Sequence, residues 1–289
     1  SMSASGIDQE ITIGYGPRVP GFFFVETPYS FDHRSEDQIV NEQLDLLENK
    51  FKSHAAETAA FILEPVIGSG GVIPISNHYL QRVRELCDEY EILLIFDEVA
   101  TGFGRTGKMF GFQHSQVVPD MICLSKGING GYLPLGVTAV DKKISEVFLT
   151  TNTHVEHLST QNGNPLACAA GIATLNILQT PGYTTEIEKK GMYLIQELKS
   201  RLGQHPRIKE IRGQGLMLGI ELCEFDQPEK VINGLDHRRI MEQLRNKGLL
   251  AYPYSTNKTS GFTLFPPFIM TFAELDKVTK IISRVLQRY

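Results

Sequence analysis

Apolar positions in this chain fall into two kinds of pattern, short unbroken runs and longer stretches with helical spacing. Ile92 to Phe96 is continuous and apolar and ends in Asp97-Glu98. Met121 to Leu124 is a second such run and ends in Ser125-Lys126. Runs of this length without alternation predict strands buried on both faces. Thr58 to Ile67 predicts a third. Helical spacing covers residues 36–52. It returns after Ser76, a side chain suited to cap a helix that carries Leu80, Val83, Cys87 and Tyr90 on one face. Asn164-Pro165 opens a further helix, with Asn as cap and Pro in the first turn, and Pro181-Gly182 stops it. Another helix runs from about Glu186 to Leu202.

The last third has a different rhythm. Ile208 to Leu222 predicts strand-turn-strand around Gly213 and Gly215. Asp236 is placed to cap a helix ending near Gly248. Leu249 to Tyr252 and Phe262 to Phe265 predict short strands. Thr271 and Glu274 form a capping box that starts a final helix with Leu275, Val278, Ile282 and Val285 inward. Strands alternating with helices predict an α/β fold. The change of rhythm divides it into a larger part, residues 1–185, and a smaller C-terminal α+β part, residues 186–289.

Composition narrows the function. The chain has 289 residues, 42% of them hydrophobic, enough to bury a sizeable core. Lys+Arg number 28 against 33 Asp+Glu, a net charge of −5, so no basic surface points to nucleic acid. No apolar run approaches the roughly 20 residues of a membrane helix, and residues 1–6 do not read as a signal peptide. The four cysteines are widely spaced, as in a reduced protein. The expectation is a cytoplasmic protein without membrane or nucleic-acid partners.

The chemistry lies at the ends of the two buried runs. Ligands of open α/β sheets bind beyond the carboxyl ends of the strands. Asp97 and Lys126 stand there, and both are costly to bury unless used or paired. Lys126 is followed by Gly-Ile-Asn-Gly-Gly-Tyr-Leu-Pro-Leu-Gly, a loop whose glycines permit close approach to a ligand. A nucleophilic lysine and an aspartate opposite a heterocyclic nitrogen are the two protein groups that pyridoxal phosphate requires.

These residues sit in a longer recognisable stretch. Leu93 to Gly136, LLIFDEVATGFGRTGKMFGFQHSQVVPDMICLSKGINGGYLPLG, closely resembles the signature of class III pyridoxal-phosphate aminotransferases. The likeness extends upstream to Glu64-Pro65-Val66 and Gly68 to Gly71. Downstream it takes in Asn162 to Cys168, Arg212 to Glu221, and Pro266-Pro267 with Thr271. The resemblance implies the type I fold of pyridoxal-phosphate transferases, with a mostly parallel central sheet and helices on both faces. It implies Lys126 as the Schiff-base lysine that also shuttles the proton, and Asp97 as the partner of the pyridine nitrogen. Val99, two residues on along an extended segment, would pack against the ring. Thr160 would reach the phosphate held by a neighbouring subunit. The partners implied are an amine donor and a 2-oxo acid, within a homodimer that shares its active sites.

Other motifs carry less. Gly102 to Gly107 spells GxGxxG, but the next residues, KMFGFQHSQVVPD, lack amphipathic helical spacing, so the motif reads as a structural loop. His154 and His157 lack a convergent ligand set, so no metal is expected. Asp97 and Glu98 point to opposite faces and do not form an acid pair. Phe22 to Phe24 and the aromatics of 262–268 read as core or interface.

The sequence also departs from the family. Many members that handle α-amino acids carry an arginine just before the Pro-Pro pair, and some pair it with a glutamate in the turn after Glu64-Pro65. Here those places hold Thr263 and Ser69. Their joint absence predicts an ω-amine, diamine or ω-amino acid donor. Arg105 and Arg212, the nearest other candidates for an acceptor carboxylate, read as structural. In the family the phosphate loop and the ring-stacking aromatic precede the stretch matching Met2 to Gly6. The expectation is therefore a truncated enzyme, with weak cofactor binding and little turnover. The alternatives are an aminomutase, racemase or decarboxylase on the same scaffold, or a non-catalytic dimerising remnant.

Overall fold

A computed structural model describes residues 2–6, 14–30, 34–157 and 159–289; part of the unpatterned stretch 1–35 therefore lies outside the described residues. Two sheets organise the chain, one before and one after the long helix near residue 190. The first sheet contains β1 (Ala60–Leu63), β4 (Leu93–Asp97), β5 (Met121–Leu124) and β6 (Val137–Val140), in that spatial order. A hairpin of two-residue strands separates β1 from β4, with β2 at Val66–Ile67 and β3 at Ile73–Pro74. Strands β1, β4 and β5 run parallel and β6 closes the edge antiparallel. The α/β class and the mostly parallel sheet are as expected.

Alternation along β4 sets the layers. Leu94 and Phe96 have no exposed surface and join Phe61, Leu63 and Ile122 on one face. Against that face pack α1 (Glu36–His54), through Val40, Leu44, Leu47 and Phe51, and α2 (Asn77–Glu89), through Tyr79, Leu80, Val83, Leu86 and Cys87. Burial of a side chain the size of Phe96 stabilises by about 1.5–3 kcal/mol. The opposite face has less cover. Ile62 there is 40% exposed, and Leu93, Ile95, Asp97, Met121 and Cys123 are half-buried. The anticipated strand 58–67 is only Ala60–Leu63, because Pro65 turns the chain into the hairpin, where Ile75 N–H donates to the Pro65 carbonyl (3.1 Å).

Asp120 fixes the N-terminal edge of this sheet. Its carboxylate is 5% exposed and accepts from Leu94 N–H (2.7 Å), Arg84 (2.8 Å) and Lys143. Burial alone would raise its pKa, but these donors together hold it below the usual carboxylate range.

After β6, α3 (Lys142–Thr150) and an exposed stretch lead to α4 (Pro165–Leu178). Asn164 Oδ1 caps α4 by accepting from Leu166 and Ala167 N–H, the signal the Asn-Pro pair carries. Then α5 (Tyr183–Leu202) leads to the second sheet, antiparallel in the order β10 (Tyr252–Ser255), β11 (Ser260–Leu264), β8 (Met217–Glu224), β7 (Ile208–Gln214), with β9 (Gln227–Val231) also on β8. Nearly all of β8 is buried, beneath Leu194 and Leu198 of α5, Ile240 and Leu244 of α6 (Gly234–Asn246), and Leu275 and Ile282 of α7 (Phe272–Leu286). The capping box at Thr271 and Glu274 is formed. Asp236 does not cap α6. Asn233 Oδ1 takes the Leu235 and Asp236 N–H groups instead, and the Asp236 carboxylate pairs with Arg207 (2.9 Å).

The turn between β7 and β8 docks on the loop after β4. Gly215 has φ +56°, and a Cβ there would lie 2.4 Å from the Thr106 carbonyl carbon, so only glycine fits. Leu216 N–H donates to the Arg105 carbonyl (3.0 Å) across the contact. Phe22, Phe23 and Phe24, expected in core or interface, are exposed. Among the described residues no helix is long and apolar enough to cross a membrane.

Candidate active site

The parallel register brings three strand ends together. Leu63 is level with Phe96 and Asp97 with Cys123, so Glu64 just after β1, Asp97 at the end of β4 and Ser125-Lys126 just after β5 lie at neighbouring strand ends. Asp97 is half-buried, and its Oδ1 accepts from Val99 N–H at 3.0 Å. Val99 is not on an extended segment, as its spacing suggested. The strand ends at Asp97 and a turn begins. The cause is Glu98, which has no exposed surface and accepts from the Thr101 hydroxyl, Gly111 N–H (2.8 Å) and Phe112 N–H (2.7 Å). Burial raises the Glu98 pKa against those three donors. With Glu98 held inward, Asp97 is left facing the opposite side, and the two carboxylates do not form an acid pair.

Lys126 opens a short 3₁₀ turn, Lys126–Asn129, and its side chain is exposed. Its φ is +42°, a left-handed conformation that costs a non-glycine residue on the order of 1 kcal/mol or more. The surroundings over-determine it. Ser125 Oγ donates to the Leu135 carbonyl (2.8 Å), Gly130 ends the turn at φ +57°, and Gly127 lies so close to Phe103 that a Cβ would meet it at 3.0 Å. Helix α4 packs on this turn through Gly171, opposite Asn129.

Glu64 is a site residue that the motif reading did not single out, although the resemblance passes through it. Its Oε2 accepts from Gly68 N–H (3.0 Å), and beside that contact lie the Met217 methyl and Ala100 Cβ. Burial in this apolar corner pushes its pKa up to about 7. The Gly68 bond and Lys126 oppose the rise, and Asp97 adds to it. Its signals in the sequence are its place one residue after β1 and the Glu64-Pro65 pair of the family-like stretch.

Thr160 lies in the exposed stretch before α4, and no described contact joins it to Asp97 or Lys126. His154 and His157 are exposed in the same stretch, and no group of three or more metal-ligating side chains occurs among the described residues. The glycine-rich loop 102–107 forms turns, with Gly104 and Gly107 at φ near +90°, and no helix follows.

Both candidate arginines are committed elsewhere. Arg105 donates to the Leu216 (2.9 Å) and Pro266 (2.7 Å) carbonyls and lies over the Phe268 ring at 4.4 Å; burial lowers its pKa to about 10. Arg212 donates to the Gly71 and Val72 carbonyls (3.1 Å each), to Glu210 (2.8 Å), and to Glu221, Tyr29 and Tyr254. Thr263 is buried, its hydroxyl given to the Tyr252 carbonyl (3.3 Å), and Ser69 is exposed in the β2–β3 turn.

A half-buried carboxylate and an exposed amine on adjacent parallel strand ends suit a ligand with a ring nitrogen and an electrophilic carbon, and known proteins point the same way. The family model Aminotransferase class-III matches residues 1–286, so this chain belongs to the class III aminotransferases. It is 38% identical over 286 residues to the acetylornithine aminotransferase of Caldanaerobacter subterraneus subsp. tengcongensis, covering 99% of this chain and 63% of that protein. A solved (S)-enantioselective ω-transaminase from Thermomicrobium roseum superposes with a TM-score of 0.91 at 34% identity, covering 99% of this chain and 64% of the other. An amine transaminase from an uncultivated Pseudomonas species, solved in its pyridoxal-phosphate-bound form, gives a TM-score of 0.90 at 30% identity, covering 100% and 67%. The α/β fold is thus that of the transaminases, whose family uses pyridoxal phosphate. The chain spans less than two thirds of the length of the first two of these relatives.

Proposed function

We propose that this chain carries the chemical centre of a pyridoxal-phosphate-dependent transaminase that moves an amino group from an amine or ω-amino acid to a 2-oxo acid. The observation that supports this reading is the position of Asp97 and Lys126 at the ends of adjacent parallel strands, with Lys126 held in a strained backbone. The donor set fits the cofactor. Asp97, its Oδ1 oriented by Val99 N–H, would hold the ring nitrogen in its protonated form. Lys126 Nζ would bind the aldehyde carbon. When bound, the cofactor supplies an electron-withdrawing ring that lowers the cost of removing a proton from the donor carbon. Lys126 Nζ would take that proton and return it on the other side of the transfer. Glu98, locked inward, keeps Asp97 turned toward the site. Val99 would lie against the ring face and Thr160 would reach the phosphate of a partner subunit in a homodimer. The larger part, 1–185, would hold the cofactor and the smaller part, 186–289, would border the substrate.

Addition of pyridoxal phosphate should produce an absorbance band that borohydride fixes onto Lys126. A Lys126→Ala variant should show no such band, and an unchanged band would reject the assignment. The donor class rests on Ser69 and Thr263, two uncharged side chains at the places where the resemblance sets a glutamate–arginine pair. Diamines and ω-amino acids should be turned over faster than ornithine or N-acetylornithine. The reverse order would favour the activity that the Caldanaerobacter relative's name states.

A further inference from the structure

Burial first, and then the neighbouring Asp97 carboxylate, favour a proton on Glu64. We propose that Glu64 is a positioning residue of the strand-end site: it keeps that proton, leaving Asp97 as the carboxylate charge that faces Lys126 and the cofactor. This inference deepens the transaminase reading and rests on it.

The geometry decides which acid keeps the proton. The parallel β1–β4 register puts Glu64 directly after the residue paired with Phe96, hence beside Asp97. Gly68, whose N–H meets the Glu64 carboxyl, itself lies close to the Met217 methyl and Ala100 Cβ, and Met217 has no exposed surface. Val66 and Val72 complete this apolar corner with Met217. One backbone N–H, from Gly68, is its recorded hydrogen bond. The charged groups that face it are Asp97 from the end of β4 and Lys126 from the end of β5. From the hairpin turn the Gly68 N–H donates to it, and Met217 of β8 lies beside Gly68. With Oε2 accepting from Gly68, the proton belongs on Oε1. A carboxyl so placed changes charge in the range around pH 7. Above that range the site gains a second negative charge, and Asp97 is no longer the sole carboxylate facing the cofactor.

Glu64→Gln tests this, because the amide imitates the protonated acid and can still accept from Gly68. The first readout needs no cofactor. In infrared difference spectra of the full chain, the wild type should show a protonated-carboxyl band that disappears as pH rises from about 6 to about 8. Glu64→Gln should lack it. The second readout is the absorbance of the protein loaded with pyridoxal phosphate. The wild-type spectrum should change with a midpoint near 7, Glu64→Gln should stay at the low-pH form throughout, and Glu64→Asp should restore a midpoint at lower pH. A wild type with no such carboxyl band, or the same spectral midpoint in Glu64→Gln, overturns the proposal. If Glu64→Gln does not fold, an unmoved band in Glu64→Asp overturns it as well. If pyridoxal phosphate gives no band while the carboxyl titrates as described, the transaminase reading fails and the shared proton stands.

Discussion

Two charged clusters in this molecule have opposite designs. Arg212 is 6% exposed, and its guanidinium is met by two carbonyls, two carboxylates and two tyrosine hydroxyls. Burial alone would lower its pKa, but the tyrosines and carboxylates raise it above the usual arginine value. At the strand ends Asp97 holds a single recorded N–H, Glu64 holds another, and Lys126 is exposed on strained backbone. The first cluster has committed its hydrogen-bonding capacity to joining Tyr29, the β2–β3 hairpin and the second sheet. The second retains capacity for a ligand. Charge density alone does not mark a site; unused hydrogen-bonding capacity does.

The largest effect should come from breaking the saturated cluster. Arg212→Ala would leave Glu221, 1% exposed, without its arginine, and should destabilise by about 3–5 kcal/mol in denaturant titrations. A loss below about 1 kcal/mol would mean the cluster is not structural. Gly215→Ala, which forces a Cβ against the Thr106 backbone at positive φ, should also destabilise by several kcal/mol, about 2–4 by analogy with other strained substitutions.

An intermediate effect belongs to Glu64. Its folded pKa, about 7, lies above the ordinary 4.5, so the folded state binds the proton more tightly than the unfolded chain. Its contribution is fully present below the unfolded value and is lost as pH rises from about 4.5 to about 7. Relative to Glu64→Gln, the wild type should lose roughly 2–3 kcal/mol over that window, measured by urea unfolding at several pH values. A constant difference would contradict the buried-acid geometry. The smallest stability change should come from Lys126→Ala, within about 0.5 kcal/mol, because the side chain is exposed. The same variant should nonetheless abolish cofactor attachment, which separates the open cluster from the saturated one.

Local signals are legible where one element suffices to satisfy them. Asn164-Pro165, Ser76 and the Thr271–Glu274 box cap their helices as expected, since a cap needs only its own first turn. Met121 to Leu124 is the strand its apolar run describes. Asp236 and Asn233 are both suited by type to cap α6; the pull of Arg207 on Asp236, from another element, settles it for Asn233. The turn at Val99 is hidden from the sequence, because nothing near it along the chain shows that Gly111 and Phe112 draw Glu98 inward.

By itself the sequence determined the α/β class, the two strand ends that carry Asp97 and Lys126, and the family to which those residues belong. Each rests on runs of neighbouring residues whose polarity and backbone preference act locally. Only the tertiary structure placed Glu64 beside Asp97, half-buried it near Met217, and strained the backbone at Lys126. Those features depend on register between strands and on dehydration by residues more than a hundred positions away, so no local pattern could encode them.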